Sequence, residues 1–232
     1  MVQQFSPDST TGKIKYPDSD GQPMADNTLQ FQWIVTIKEN LELLFANDPN
    51  VFVAGDLLWY PIEGDNKTRR APDAMVVFGR PKGYRGSYQQ WLEDDIPPQV
   101  VFEILSPGNK LLDMQLKQRF YELHGVEEYY LYDPNKNDLA GWLAQEGVFN
   151  VIEPIDNWTS PRLGITFTLA EETLNIFRPD GKPFVSFQEM DQQRKNAENN
   201  LQAEQQRRQD AEDKLAKLQE KMRSLGLDPD DV

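Results

Sequence analysis

Glu103 stands inside Val100-Val101-Phe102-Glu103-Ile104-Leu105, an apolar run that reads as a central strand buried on both faces. An unpaired carboxylate there would cost several kcal/mol, so a cation, hydrogen bonds or protonation must satisfy it. Asp73 opens Asp-Ala-Met-Val-Val-Phe directly after Pro72, which fixes an extended approach to a second strand. Each residue also has a plain structural reading, Asp73 as a polar strand start and Glu103 as half of a buried ion pair. Lys117 follows Asp113 by four residues, the spacing of a surface ion pair worth only a few tenths of a kcal/mol. It also borders the stripe of Leu116 and Phe120, on a helix that crosses back over the strand of Glu103. An ammonium there can reach the carboxylates. Carboxylate oxygens are the ligands that suit Mg²⁺ or Mn²⁺.

Composition narrows the chemistry further. The chain of 232 residues has no cysteine and one histidine, His124. Disulfides, structural zinc and thiol nucleophiles are excluded, and a Ser-His-Asp triad would have to use that one imidazole. The net charge is -14, from 24 Lys and Arg against 38 Asp and Glu, so bulk capture of nucleic acid or of an anionic membrane is disfavoured. A nucleic-acid role would need a local basic groove and a metal ion at its acidic centre. The polar N-terminus and the lack of any apolar run near the roughly 20 residues of a bilayer span set the expectation of a soluble, cytoplasmic protein.

The elements that must position these residues follow from periodicity. Residues 1–26, with Pro7, Pro17 and Pro23, read as an extended arm. Asn27 and Thr28 can cap a helix whose buried face carries Phe31, Ile34, Val35, Ile37, Leu41, Leu44 and Phe45. Three strands follow, Val51 to Tyr60 with a bulge at Gly55, Asp73 to Phe78, and Val100 to Leu105. The long connection from Gly79 to Pro98 reads as a functional loop. Asn109 to His124 reads as a helix burying Leu112, Leu116, Phe120 and Leu123, closed by Gly125, before a strand from Glu127 to Tyr132. The order is helix, three strands, helix, strand, with further strands up to Phe187.

From Gln188 the composition turns to Gln, Glu, Arg, Lys, Asn and Ala. A heptad reading from Phe187 finds nine of twelve core positions apolar, interrupted by Arg194, Glu204 and Arg208. This favours a coiled coil that makes homo-oligomers over a solvated single helix. The expected organisation is thus an arm (1–26), an α/β domain (27–187), a coiled-coil helix (188–225) and an acidic tail (226–232).

The ordered motifs carry a more specific likeness. Ala71-Pro72-Asp73-Ala74-Met75-Val76-Val77 precedes Val100-Val101-Phe102-Glu103-Ile104-Leu105-Ser106-Pro107, followed by Asp113, Lys117 and Tyr121, then by Gly125-Val126-Glu127-Glu128-Tyr129-Tyr130-Leu131-Tyr132-Asp133-Pro134. Over roughly residues 27–175 the chain resembles the Uma-type restriction-endonuclease family of the PD-(D/E)XK nuclease superfamily. The resemblance implies a restriction-endonuclease-like α-β-β-β-α-β core around a mixed sheet and metal-dependent hydrolysis of DNA. Asp73 and Glu103 would be metal ligands, and Lys117 would orient or activate water. Leu105 occupies the usual position of the strand lysine, so a helix lysine, here Lys117, must take its place. Asp56 is a further acid that could join the metal site; Glu39 and Glu42 are first-helix candidates without a matched motif. Lys67, Arg69, Arg70, Arg80, Lys82, Arg85 and Lys110, with Tyr84, Tyr88 and Trp91, are the loop residues that could receive a nucleic-acid strand. Two rivals remain open, a catalytically silent module of the same fold that assembles through its helix, and a hydrolase of small phosphate esters.

Overall fold

Asn27 starts the first helix by accepting the Gln30 backbone N–H at 2.9 Å, while Gln30 Oε1 accepts the Asp26 N–H at 2.8 Å. In the computed structural model, which describes residues 14–21 and 23–224, this helix is α1 (Thr28–Leu44). Ile34, Ile37 and Leu41 face the core as expected, but Phe31 is exposed and Gln30 is buried in its place. Of the arm, residues 14–21 and 23–26 form no regular element, and the tail lies outside the described residues.

Four β-branched and aromatic segments form the centre. β1 (Val51–Ala54) ends at Gly55, where the expected single strand to Tyr60 breaks. A Cβ at Gly55 would lie 3.2 Å from the Asp73 carbonyl, so the close approach of the two chains needs a glycine. Beyond it β2 (Trp59–Tyr60) leaves the sheet to pair in parallel with β4 (Tyr88–Gln89), and β3 (Ala74–Phe78) lies between them in the chain. The Gly79 to Pro98 connection is therefore not a plain loop; it holds β4 and a 3-10 turn at Gln90–Leu92. β5 (Val100–Ile104), α2 (Leu111–Leu123) and β6 (Glu128–Asp133) complete the core. Two more strands, β7 (Asp138–Gln145) and β8 (Val148–Val151), extend the sheet to six, in the order β1-β3-β5-β6-β7-β8. Only β5 and β6 run parallel, joined by the α2 crossover, so the sheet is mixed. With the β2–β4 pair set aside, the core is α-β-β-β-α-β.

Helices cover both faces. α1 packs on Val53, Val76 and Phe102, a core completed by Phe167, Leu174 and Ile176 from the antiparallel pair β9 (Thr166–Leu169) and β10 (Leu174–Phe177). α2 packs on the other face, against Met75, Val101 and Tyr129. Its inward stripe differs from the leucine pattern. Leu112, Leu116 and Leu123 are exposed, and Met114, Phe120 and Tyr121 are buried. The rotation brings Lys117 inward with Tyr121, so satisfaction of buried polar groups outweighs leucine burial on this helix. Across the same face runs a column of rings, Trp59 stacked on Tyr121 at 6.4 Å, Tyr121 tilted against Tyr129 at 5.3 Å, and Tyr129 stacked on Trp142 at 5.1 Å.

By its contacts the chain divides after Phe184. The second unit holds α3 (Phe187–Ser224), opened by a capping box in which Ser186 and Glu189 satisfy each other's backbone N–H groups. No α3 residue is buried in the single chain. Among the described residues no helix is long and apolar enough to cross a membrane.

Candidate active site

Three acids line up across three neighbouring strand ends. Ala74 faces Phe102 in the β3–β5 ladder, so one step further Asp73 comes beside Glu103. Ala54 faces Met75 on the other side, and two steps along β1 the Asp56 N–H donates to the Pro72 carbonyl at 3.0 Å. Asp56 turns there with a φ of +49°, a left-handed conformation that Asp tolerates better than most residues. The structure thus places Asp56, Asp73 and Glu103 in one row on the face covered by α2.

Glu103 is 2 % exposed, and each of its oxygens accepts one hydrogen bond. Lys117 Nζ donates to its Oε2 at 2.6 Å, and the Tyr121 hydroxyl donates to its Oε1. Lys117 pairs with Glu103 and not with Asp113. Asp73 is also buried, and its Oδ2 accepts the Ile104 N–H at 2.6 Å. The Ile104 carbonyl accepts Gln30 Nε2 at 2.8 Å. The strand end that carries Glu103 is therefore tied to β3 through one peptide group and to α1 through the next.

These contacts set the charges. Burial, reinforced by Glu103, pushes the Asp73 carboxyl well above its ordinary range, against the opposing pull of Lys117 and the Ile104 N–H. Burial also raises Asp56, with help from Asp20. For Lys117 burial acts downward, yet the Glu103 and Asp73 carboxylates outweigh it and the ammonium is held above its ordinary value. It stays protonated at neutral pH, so it is a source of positive charge and N–H donors and not a base.

The donor set fits a hard divalent cation of the kind that keeps several waters. Such a cation is bound through one or two carboxylates plus substrate phosphate oxygens. Each carboxylate has about four lone-pair positions, and the hydrogen bonds to Glu103 and Asp73 leave some of them for a metal. Among the described residues no three His, Cys, Asp or Glu side chains are grouped closely enough to hold a metal by themselves. Close by, the buried Tyr129 hydroxyl finds no hydrogen-bond partner among the described residues, an orphaned polar atom on the same face.

Not every candidate reaches this site. Glu39 and Glu42 pair with Lys38 on the exposed side of α1. Of the expected basic and aromatic loop residues, Arg80 and Arg85 are both held by Glu93 and Tyr88 is fully buried, whereas Lys67, Lys82, Tyr84 and Lys110 are exposed. Trp91 carries the arm's Tyr16 on its ring at 4.9 Å. Sequence reasoning quotes Tyr121 only as part of a motif, although its place four residues after Lys117 is the signal that both share a face. Gln30 gives no such signal, since a glutamine near a helix start is ordinary.

The core is that of an α/β protein built on a mixed central sheet. The chain belongs to the Uma2 family, described as "Putative restriction endonuclease", whose model matches residues 6–202. Among solved structures it is similar to a putative nuclease belonging to DUF820 from Anabaena variabilis, with 17% identity, a TM-score of 0.46, and coverage of 66% of this chain and 80% of that one. No curated protein matches.

Proposed function

We propose that the protein is a metal-dependent endonuclease that hydrolyses DNA phosphodiester bonds, with Asp73 and Glu103 as metal ligands and Asp56 as an accessory acid. The observation that carries this reading is the row of three acids beside Lys117, itself paired with Glu103, at the ends of otherwise apolar strands. A bound Mg²⁺ or Mn²⁺ supplies Lewis acidity toward the phosphoryl oxygen and acidifies the attacking water. The chain supplies the rest. Lys117 holds Glu103 in place and offers N–H donors and charge to an incoming water or to the negative charge that develops on the phosphate. Tyr121 and the Ile104 N–H fix the two carboxylates, and α2 keeps bulk water off their inner side.

Incubation with supercoiled, linear and single-stranded DNA and with RNA, with Mg²⁺, Mn²⁺ or chelator, tests the assignment. Metal-dependent cleavage of DNA is expected, lost in Glu103→Gln and Lys117→Ala. The second reading, a silent nuclease-fold module, draws on one observation, that Lys117 and Tyr121 already satisfy Glu103. Under it, Mg²⁺ leaves the melting temperature of the parent unchanged. Under the nuclease reading Mg²⁺ raises it, and Glu103→Gln abolishes the increment whatever it does to the apo protein. α3 is proposed to join copies of the chain through its heptads.

A further inference from the structure

Arg70 lies three residues before Asp73, and its backbone exchanges two hydrogen bonds with Trp59, at 2.8 and 3.2 Å. Its place in the chain is thus set without its side chain. That side chain extends to α2, where Cζ stands 5.4 Å from the centre of the Phe120 ring, and Nη1 donates to the Arg69 carbonyl at 2.8 Å. Phe120 follows Lys117 by three residues on the same side of α2, so guanidinium and ammonium share one patch. The charge of Arg70 is felt at Lys117, where it opposes protonation. Among the described residues no carboxylate pairs with Arg70, whereas Arg80 and Arg85 are both taken by Glu93. In a chain of net charge -14 this half-buried guanidinium keeps its charge and most of its five N–H donors for something else.

We propose that Arg70 is a phosphate-binding group that takes a non-bridging oxygen of the substrate's phosphodiester beside Asp73 and Glu103. The proposal rests on the nuclease reading and names its substrate contact. One N–H of Lys117 is already given to Glu103, and a divalent cation mainly offsets the acids, so an entering phosphodiester brings negative charge for which Arg70 supplies a second cation beside Lys117. A planar fork held over an aromatic ring matches the paired oxygens of a phosphate, which an ammonium does not.

The test uses the full chain, as parent, Arg70→Gln and Arg70→Lys. Three measurements are made: the melting shift with inorganic phosphate, affinity for a fluorescent duplex in Ca²⁺ across a salt series, and cleavage with Mg²⁺. Arg70→Gln should bind the duplex about ten- to a hundred-fold more weakly, with a salt slope shallower by about one phosphate contact, and should lose the phosphate-induced shift. Arg70→Lys should keep the salt slope and recover only part of the affinity. If the parent cuts DNA and both variants match it in affinity and salt slope, the Arg70 proposal is overturned and the nuclease reading stands. If the parent neither binds nor cuts DNA, yet phosphate raises its melting temperature and not that of Arg70→Gln, the nuclease reading falls while Arg70 remains an anion site. If phosphate shifts no melting temperature and the parent does not bind DNA, both fall.

Discussion

Tyr121 has two roles that its hydroxyl separates. The ring fills the core under α2, and the O–H satisfies one oxygen of a carboxylate that is almost wholly removed from water. Tyr121→Phe keeps the first role and deletes the second. A lost hydrogen bond to a buried charged group costs on the order of 2 kcal/mol, so urea denaturation should show a lower midpoint with an unchanged slope. Asp56 should respond in the opposite direction. Burial, with Asp20 and Glu103 nearby, disfavours the charged form of its carboxyl, at a left-handed residue where Asn is equally tolerated. Asp56→Asn should therefore melt no lower than the parent, and higher at low ionic strength, while losing activity if this acid assists the metal. Asp73 and Glu103 were legible at this scale because a charge in an apolar run has few physical explanations. Gln30 was not, because its bond to the Ile104 carbonyl joins residues 74 positions apart and leaves no local pattern.

At the scale of elements, the strands and helices of the core are readable from their apolar runs, and Gly125 ends α2 with a φ of +89° as a C-terminal glycine should. What sequence could not supply was phase and partnership. α2 is rotated from its leucine stripe because Lys117 and Tyr121 must reach Glu103, and β2, past Gly55, leaves the sheet to pair with β4. β6 carries a further buried acid, Glu128, with a different role. Glu128 accepts the Arg162 N–H at 2.7 Å, the Tyr130 hydroxyl at 2.9 Å and the Ser160 hydroxyl, which ties the segment before β9 to the sheet. Burial raises its pKa above the ordinary 4.5 despite these bonds. The folded state therefore holds this proton more tightly than the unfolded chain does. The contribution is full below pH 4.5 and is lost as pH rises through the raised folded value. Melting curves from pH 4.5 to 7 should show this decline in the parent and a flatter profile in Glu128→Gln. Glu93 and Glu122, whose pKa values are lowered, lose stability only as pH falls below that window.

For the molecule as a whole, α3 is the element that a single chain cannot explain. It runs for 38 residues with nothing buried, and Leu201, Leu215 and Leu218 are each 56% exposed at heptad positions. Local pairs such as Arg194 with Glu198 support the helix but leave its apolar seam uncovered. Light scattering should give a multiple of 26.8 kDa for the full chain and a monomer for a chain ending at Phe187. An unchanged number of copies after truncation would remove the assembly role.

The ring column has an optical consequence. Trp59 lies almost parallel to Tyr121, at an interplanar angle of 2°, and Tyr121 donates directly to Glu103. Whatever alters the electron density on that carboxylate alters the hydroxyl bonded to it and the indole stacked behind it. Near-ultraviolet circular dichroism and tryptophan emission should therefore report cation binding without any attached label, in a titration that Trp59→Phe silences and that Trp33→Phe, on the α1 side of the sheet against Tyr132, leaves intact.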